Sequence, residues 1–190
     1  MDKLATLKES FGHTHFRKGQ EELIDSLLAG RDVLGVMPTG AGKSICYQLP
    51  ALLLPGCSIV VSPLISLMHD QVSALSQAGI SAAFINSSLS AGEYAKVLRN
   101  AALGAYKIIY VAPERLHVDS FLQFAMQADI SLVTVDEAHC VSQWGQDFRP
   151  SYTDIYPFIK KLSKRPVVSA FTATATPEVR SDIIRLLGLA

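Results

Sequence analysis

Short apolar runs rich in β-branched residues alternate along the chain with longer amphipathic segments. The runs at 32–37 (DVLGVM), 58–62 (SIVVS), 82–85 (AAFI), 107–111 (KIIYV), 132–136 (LVTVD) and 167–171 (VVSAF) read as strands. Their apolar character is nearly continuous rather than alternating, as in a parallel sheet covered on both faces. The intervening segments predict helices over 43–54, 64–77, 90–103, 119–128 and 152–162, and a last one from Pro177 to the residue before Gly188. Ser90 and Glu93 form a capping-box pair, and Gly104 follows that helix. Pro177 in a first turn and Gly188 past the end follow the usual asymmetry of helix termini. Strand–helix alternation of this kind predicts an α/β domain with a mostly parallel central sheet and helices on both faces.

Composition adds limits. A length of 190 residues fits a single domain over 1–190, large enough to fold without a metal or disulfide. Hydrophobic residues make up 49% and charged residues 18%, as in a globular chain. Lys plus Arg and Asp plus Glu each total 17, which argues against a global electrostatic grip on nucleic acid but leaves room for a local basic groove. The cysteines are Cys46, Cys57 and Cys140, an odd number without a C-x-x-C pair, so neither a disulfide framework nor a zinc site is expected. His15, His69 and His117 share no ligand spacing with a cysteine and are given no role. No apolar stretch approaches the ~20 residues of a membrane span, and the N-terminus lacks a signal-peptide core. The expected location is cytoplasmic, on the nucleoid if the source is bacterial, with no membrane partner.

Candidate chemistry begins at 37–44 (MPTGAGKS), between a predicted strand and a predicted helix. Gly42, Lys43 and Ser44 fit the phosphate-loop pattern G-x-x-x-x-G-K-[ST]; Met37 takes the first glycine's place, and Gly40 supplies backbone freedom inside the loop. Backbone N–H groups of Thr39, Gly40, Ala41 and Gly42 can face phosphate oxygens at the positive end of the next helix. Lys43 would reach the β- and γ-phosphates and Ser44 would hold Mg²⁺. The strand at 132–136 delivers Asp136 and Glu137 at its carboxyl end, where ligands of open α/β sheets sit. Asp136 would orient Mg²⁺, and Glu137 would orient and deprotonate the attacking water.

These blocks together resemble the RecQ-type DNA helicases of superfamily 2. The phosphate loop TGAGKS and the tetrad Asp136-Glu137-Ala138-His139 are joined by further blocks along most of the chain. Phe11-Gly12 with Phe16, Arg17 and Gln20 resembles the adenine-reading segment; 60–72 (VVSPLISLMHDQV) and 110–116 (YVAPERL) resemble DNA-contacting blocks. The stretch 170–176 (AFTATAT) resembles the block that couples ATP to DNA, and 140–150 (CVSQWGQDFRP) resembles the aromatic-rich loop that is the most specific mark of the family. The resemblance implies a RecA-like phosphate-loop domain, the first of two, that uses ATP and Mg²⁺ and binds single-stranded or partly duplex DNA.

By that resemblance Gln20 would hydrogen-bond the adenine edge and Arg17 would pack on the ring. His13 stands where the family often carries Tyr and offers less stacking area. Pro63, Arg115, Trp144, Phe148 and Arg149 would meet DNA. His139, Thr172 and Thr174 would couple the two sites. Bases stacked on Trp144 and Phe148 would gain ~1–3 kcal/mol each. The basic residues Lys160, Lys161, Lys164 and Arg165 read instead as a solvated helix end.

None of the later helicase blocks follows Ala190. The resemblance therefore implies a first lobe cut off from the second RecA-like domain, whose arginines complete the ATP site. The zinc-binding, winged-helix and terminal modules would be missing too. Such a piece is expected to bind ATP weakly, hydrolyse it very slowly and not unwind DNA, while its parent moves 3′ to 5′ in DNA repair and recombination. Three other readings compete. The aromatic loop argues against a DEAD-type RNA helicase lobe. Intact Lys43, Ser44, Asp136 and Glu137 argue against a binding module without catalysis. A small-molecule kinase would need a lid and an acceptor site that the sequence does not show.

Overall fold

The structure, a computed structural model, describes residues 2–190. The strands are β1 (Val33–Val36), β2 (Cys57–Val61), β3 (Ala82–Ile85), β4 (Ile108–Val111), β5 (Ile130–Val135) and β6 (Val167–Thr172). They form one sheet in the order β1-β6-β5-β2-β4-β3, every neighbouring pair parallel. The helices are α1 (Lys3–Phe11), α2 (Gln20–Leu28), α3 (Lys43–Leu53), α4 (Ile65–Gln77), α5 (Ala91–Ala102), α6 (Asp119–Gln127), α7 (Ile155–Lys161) and α8 (Pro177–Leu186). Short 3₁₀ turns occupy Pro113–Arg115, Ala138–Val141 and Pro150–Asp154. The doubly covered parallel sheet expected from the strand pattern is the fold observed.

Both faces of the sheet are buried, which is why the strands lack alternation. Ile59, Val61, Val133 and Val135 pack with Phe121 of α6, Ile155 and Phe158 of α7 and Ile183 of α8. The intervening positions, Val60, Tyr110, Leu132 and Phe171, face the other way, onto Tyr47 of α3 and Met68 of α4. Each fully buried side chain of this size contributes roughly 1.5–3 kcal/mol of transfer energy. A smaller group, Leu7, Ile24 and Leu49, joins α1 and α2 to α3.

The register brings the functional ends of the strands into line. Val36 pairs with Thr172, Val135 with Ala170, and Val61 with both Val135 and Val111. The loops that leave β1, β6, β5, β2 and β4 therefore emerge side by side along one edge.

The structure departs from the sequence reading in three places. Two helices, α1 and α2, precede β1 where none is expected; each has nine residues, and α2 starts from Gly19 rather than from a side-chain cap. Asp32 lies outside β1: its carboxylate accepts hydrogen bonds from the backbone N–H groups of Val168 (2.9 Å) and Ala190 (2.7 Å). The helix expected over 152–162 opens as a 3₁₀ turn at Pro150–Asp154 and becomes α-helical only at Ile155. The basic group is solvent-exposed, as its composition suggests. Lys160 and Lys161 lie in the last turn of α7, and beyond it the equally exposed Lys164 and Arg165 pair with Asp129 at 2.8 Å and with Asp32 at 2.6 Å.

Candidate nucleotide and nucleic-acid site

β1 ends in the segment 37–42, and α3 starts at Lys43. Gly40 and Gly42 both take left-handed backbone angles, with φ of 85° and 80°. An added Cβ at Gly42 would stand 2.4 Å from Gln20 Nε2, so a larger residue would displace that amide from the Gly42 carbonyl, and the positive φ itself favours glycine. The N–H of Ala41 donates to the carbonyl of Pro38 at 3.1 Å, which closes the loop into a turn. Lys43 and Ser44 follow in the first turn of α3, at its positive end. Thr39 and Gly40 are exposed at the loop's tip.

The segment before α2 is fastened to this loop. Arg17 Nη1 donates to the Gly40 carbonyl at 2.7 Å, and Gln20 Nε2 donates to the Gly42 carbonyl at 3.1 Å. Gln20 Oε1 accepts the Arg17 N–H at 2.8 Å. Gln20 is 2% exposed and so acts as a buried bracket between the two segments. Its amide keeps one free N–H and one free lone pair. A cavity of about 390 Å³ lies here, lined by Gly12, His13, Thr14, His15, Arg17, Gln20, Gly42 and Ile45. His15, which carries no role by sequence spacing, belongs to its wall because the turn after α1 folds back over the loop.

Asp136 and Glu137 follow β5, with β6 between them and the phosphate-loop strand. Asp136 is 8% exposed. Burial first, and the neighbouring Glu137 carboxylate second, push its pKa up; Lys43, the Glu137 N–H and His139 offset part of that rise. The Glu137 N–H reaches Asp136 Oδ1 at 2.9 Å. A buried carboxylate held at high energy, with only the Lys43 charge and local contacts to offset it, suits a divalent cation, whose charge would relieve it. Asp136, together with Ser44 in the first turn of α3, is a candidate to hold Mg²⁺.

Glu137 has φ 51° and ψ 46°, the left-handed region that costs an L-residue about 1–2 kcal/mol. The Tyr152 hydroxyl donates to the Asp136 carbonyl at 2.8 Å from a fully buried position, and so holds the peptide just before Glu137. Tyr152 lies 16 positions downstream of its partner, and no motif marks it.

His139 joins the acids to the next strand. Its Nδ1 is 2.8 Å from Thr172 Oγ1 and 3.5 Å from Glu137 Oε2. The Thr172 hydroxyl donates to the Thr174 carbonyl at 3.1 Å, so it accepts the proton of His139 Nδ1. Thr172 is fully buried and Thr174 exposed, so the backbone of the second reaches the surface while the first faces His139.

The aromatic-rich stretch begins immediately after. The Arg149 N–H returns to the Cys140 carbonyl at 2.9 Å and closes the loop's neck. Ser142 Oγ accepts the Trp144 N–H at 3.1 Å and donates to Asp182 of α8 at 2.8 Å. Ser142 and Asp182 thus anchor the loop, a contact across forty positions that no spacing announces. Trp144 is 79% exposed rather than folded under, and Phe148 is half-buried. A cavity of about 280 Å³ lies between these rings and α8. Pro63 follows β2 and is half-buried, with exposed Leu64 and Ile65 beside it. Arg115 follows β4 and lies over the Tyr94 ring at 5.9 Å. A buried set of polar groups runs beneath these segments: Gln48 of α3 donates to Gln71 of α4 (2.8 Å) and to the Tyr110 hydroxyl of β4 (2.9 Å).

The structure thus groups His13, Arg17 and Gln20 with the loop 39–44, and it joins Asp136, Glu137, His139 and Thr172 in one contact chain. Pro63, Arg115 and Thr174 lie in separate loops along the same edge, and Trp144, Phe148 and Arg149 share a further one.

A family model described as "DEAD/DEAH box helicase" matches residues 17–183. An ATP-dependent DNA helicase RecQ of Bacillus subtilis (strain 168) is 52% identical over 95% of this chain, and the chain spans 31% of that relative's length. A RecQ of Haemophilus influenzae is 46% identical over 98% of the chain, which spans 30% of it. Among solved structures, a DUF1998 helicase, MrfA, described as bound to DNA, superposes with a TM-score of 0.78 at 18% identity, covering 100% of this chain and 28% of its own. A hypothetical ATP-dependent RNA helicase from Sulfolobus tokodaii gives 0.74 at 23% identity, covering 96% and 53%. These two likenesses show a shared RecA-like fold. No described helix is long and apolar enough to cross a membrane. With the family match over most of its length and RecQ proteins at this identity, the chain belongs to the DEAD/DEAH box helicase family, in its RecQ branch.

Proposed function

We propose that this domain binds ATP with Mg²⁺ between the segment 12–20, the loop 39–44 and the pair Asp136–Glu137. In the same reading it holds single-stranded DNA along the edge formed by Pro63, Arg115, Trp144, Phe148 and Arg149. It serves as the first lobe of a 3′-to-5′ DNA helicase that acts in repair and recombination. The observation that carries this reading is His139. One imidazole meets the Glu137 carboxylate, the Thr172 hydroxyl of the neighbouring strand and the first residue of the aromatic loop, Cys140. A site for nucleotide chemistry and a surface with an exposed tryptophan share a single side chain.

In this account Lys43 binds the β- and γ-phosphates, and backbone N–H groups of residues 39–42 orient them. Ser44 and Asp136 hold Mg²⁺, which supplies charge neutralisation at the phosphates. Glu137 takes a proton from the attacking water. Arg17 and Gln20 position the adenine above the loop they already brace, and His13 closes that side. Trp144 offers a face to an unstacked base. The arginines of a second RecA-like domain complete the site, a contribution of ~10³–10⁵ in rate for groups of this kind. The isolated domain accordingly binds ATP weakly, turns it over very slowly and does not unwind DNA.

Equilibrium binding tests this reading. Labelled ATP with Mg²⁺ should bind the chain and fail to bind Lys43→Ala. Single-stranded DNA should bind more tightly than RNA of the same sequence. Nucleotide binding that survives Lys43→Ala unchanged, or a preference for RNA, would refute it.

A further inference from the structure

We propose that His139, Cys140 and Asp147 form a binding site for a thiophilic divalent cation of the Zn²⁺ class at the neck of the aromatic loop. One ligand atom from each of these side chains lies within 4.8 Å of the other two. Cys140 Sγ is 3.8 Å from His139 Nε2 and 4.0 Å from Asp147 Oδ2. A tetrahedral ion with bonds of ~2.3 Å to sulfur and ~2.0–2.2 Å to nitrogen or oxygen spaces its ligand atoms roughly 3.3–3.7 Å apart. The two sulfur distances are within a few tenths of an ångström of that spacing, and the imidazole and carboxylate, at most 4.8 Å apart, close on an ion with side-chain shifts of up to roughly an ångström.

The hydrogen bonding around His139 prepares it as a ligand. Because the Thr172 hydroxyl donates to the Thr174 carbonyl, His139 keeps its proton on Nδ1 and gives it to Thr172. Nε2 is left with its lone pair turned toward Cys140 Sγ. A ligating imidazole tied through its other nitrogen to an oxygen is the usual outer arrangement of protein metal sites. Nitrogen, sulfur and carboxylate donors together suit Zn²⁺ and its neighbours rather than Mg²⁺ or Ca²⁺, which take oxygen. With three protein ligands, a fourth position stays open to water.

Two contacts compete with the ion. Arg149 holds the same Asp147 oxygen through Nη2 at 3.1 Å and Nε at 3.2 Å. The Cys140 thiol keeps its proton, which the cation must displace into solvent as the S–metal bond forms. Occupancy would thus release Arg149 and tie Asp147, on the far side of the loop, to His139 at its start. The site is independent of the proposed function, since these donors meet a cation whether or not the domain handles DNA. Sequence spacing does not announce it: the ligands are an adjacent pair and a residue seven positions on.

The test is a titration of the 190-residue chain with Co²⁺ after chelator treatment, under a phosphine reductant, followed by absorbance. One Co²⁺ per chain should give a thiolate-to-cobalt charge-transfer band and strong tetrahedral visible bands, and Zn²⁺ should displace it. Cys140→Ser should lose the charge-transfer band, whereas Cys46→Ser and Cys57→Ser should keep it. Asp147→Asn should weaken binding at least about tenfold. Arg149→Met, which removes the competitor, should tighten it, a gain that a merely structural role for these residues does not predict. No charge-transfer band in the parent chain, or a band that survives Cys140→Ser, would overturn the proposal. Should Cys140→Ser misfold by circular dichroism, Asp147→Asn and Arg149→Met decide alone. Their side chains are 54% and 39% exposed, and unchanged affinity in both would equally overturn it.

Discussion

Among the described residues, Glu137 alone outside the glycines adopts a left-handed backbone. That conformation costs an L-residue about 1–2 kcal/mol, whereas glycine adopts it freely at an entropic cost of roughly 0.5–1 kcal/mol elsewhere in the balance. Comparing Glu137→Gly with Glu137→Ala isolates the backbone, because both variants lose the carboxylate and its contact with His139. The difference of the two costs leaves the glycine variant more stable than the alanine variant by roughly 0.5–1 kcal/mol. For a domain of this size, at roughly 2–4 °C per kcal/mol, that is a Tm about 1–4 °C higher. Urea unfolding followed by circular dichroism should place the glycine midpoint above the alanine midpoint, with the same slope. Both variants should fail to support hydrolysis in a longer chain that carries a second RecA-like domain. An alanine variant as stable as the glycine variant would refute the reasoning, since residue 137 would then carry no left-handed cost in solution. The strain has identifiable supports: the Tyr152 hydroxyl on one side of the peptide and the bond from the Glu137 N–H to Asp136 Oδ1 on the other.

Three further outcomes are expected. Tyr152→Phe leaves the buried Asp136 carbonyl without its hydroxyl partner and should destabilise the fold by about 1–3 kcal/mol in the same unfolding assay; a loss under about 0.5 kcal/mol would show that this bond contributes little. Asp136 has a raised folded-state pKa, caused first by burial, so it contributes stability below its unfolded pKa and loses it as pH rises through the folded one. Asp136→Asn should therefore be more stable than the parent at neutral pH, with the gap narrowing as pH falls into the carboxylate range, and a gap independent of pH would contradict the assignment. Trp144→Ala should leave stability within about 0.5 kcal/mol, because the ring is exposed, while single-stranded DNA affinity measured by anisotropy falls about 5- to 150-fold, the equivalent of ~1–3 kcal/mol.

The strands were legible in the sequence because a sheet buried on both faces writes nearly continuous apolar runs. Their ends were less so: Asp32 looks like the start of a strand, yet its carboxylate serves as an acceptor for the chain segments around Val168 and Ala190. The helices α1 and α2 are hard to read because each is only nine residues long and α2 begins at a glycine. Lys43, Ser44, Asp136 and Glu137 stood out because phosphate chemistry demands fixed residue types at short spacing. The residues that hold them did not. Gln20 against the Gly42 carbonyl, Tyr152 against the Asp136 carbonyl and Ser142 against Asp182 are contacts made by folding across 16 to 40 positions, between ordinary residue types. Lys164 and Arg165 are solvent-facing, as they read, but their ion pairs are not legible because the partners, Asp129 and Asp32, lie 35 and 133 positions away.

The central claim, that this domain is one half of a DNA-dependent motor, is tested most directly by ATP turnover. The 190-residue chain should be measured beside the same domain followed by a second RecA-like domain, each with and without single-stranded DNA. Only the longer chain should turn over appreciably, at least ~10³-fold faster than the short one, and DNA should stimulate it. Turnover by the short chain at the rate of the longer one would contradict it, because the site built on Lys43, Asp136 and Glu137 would then be complete by itself.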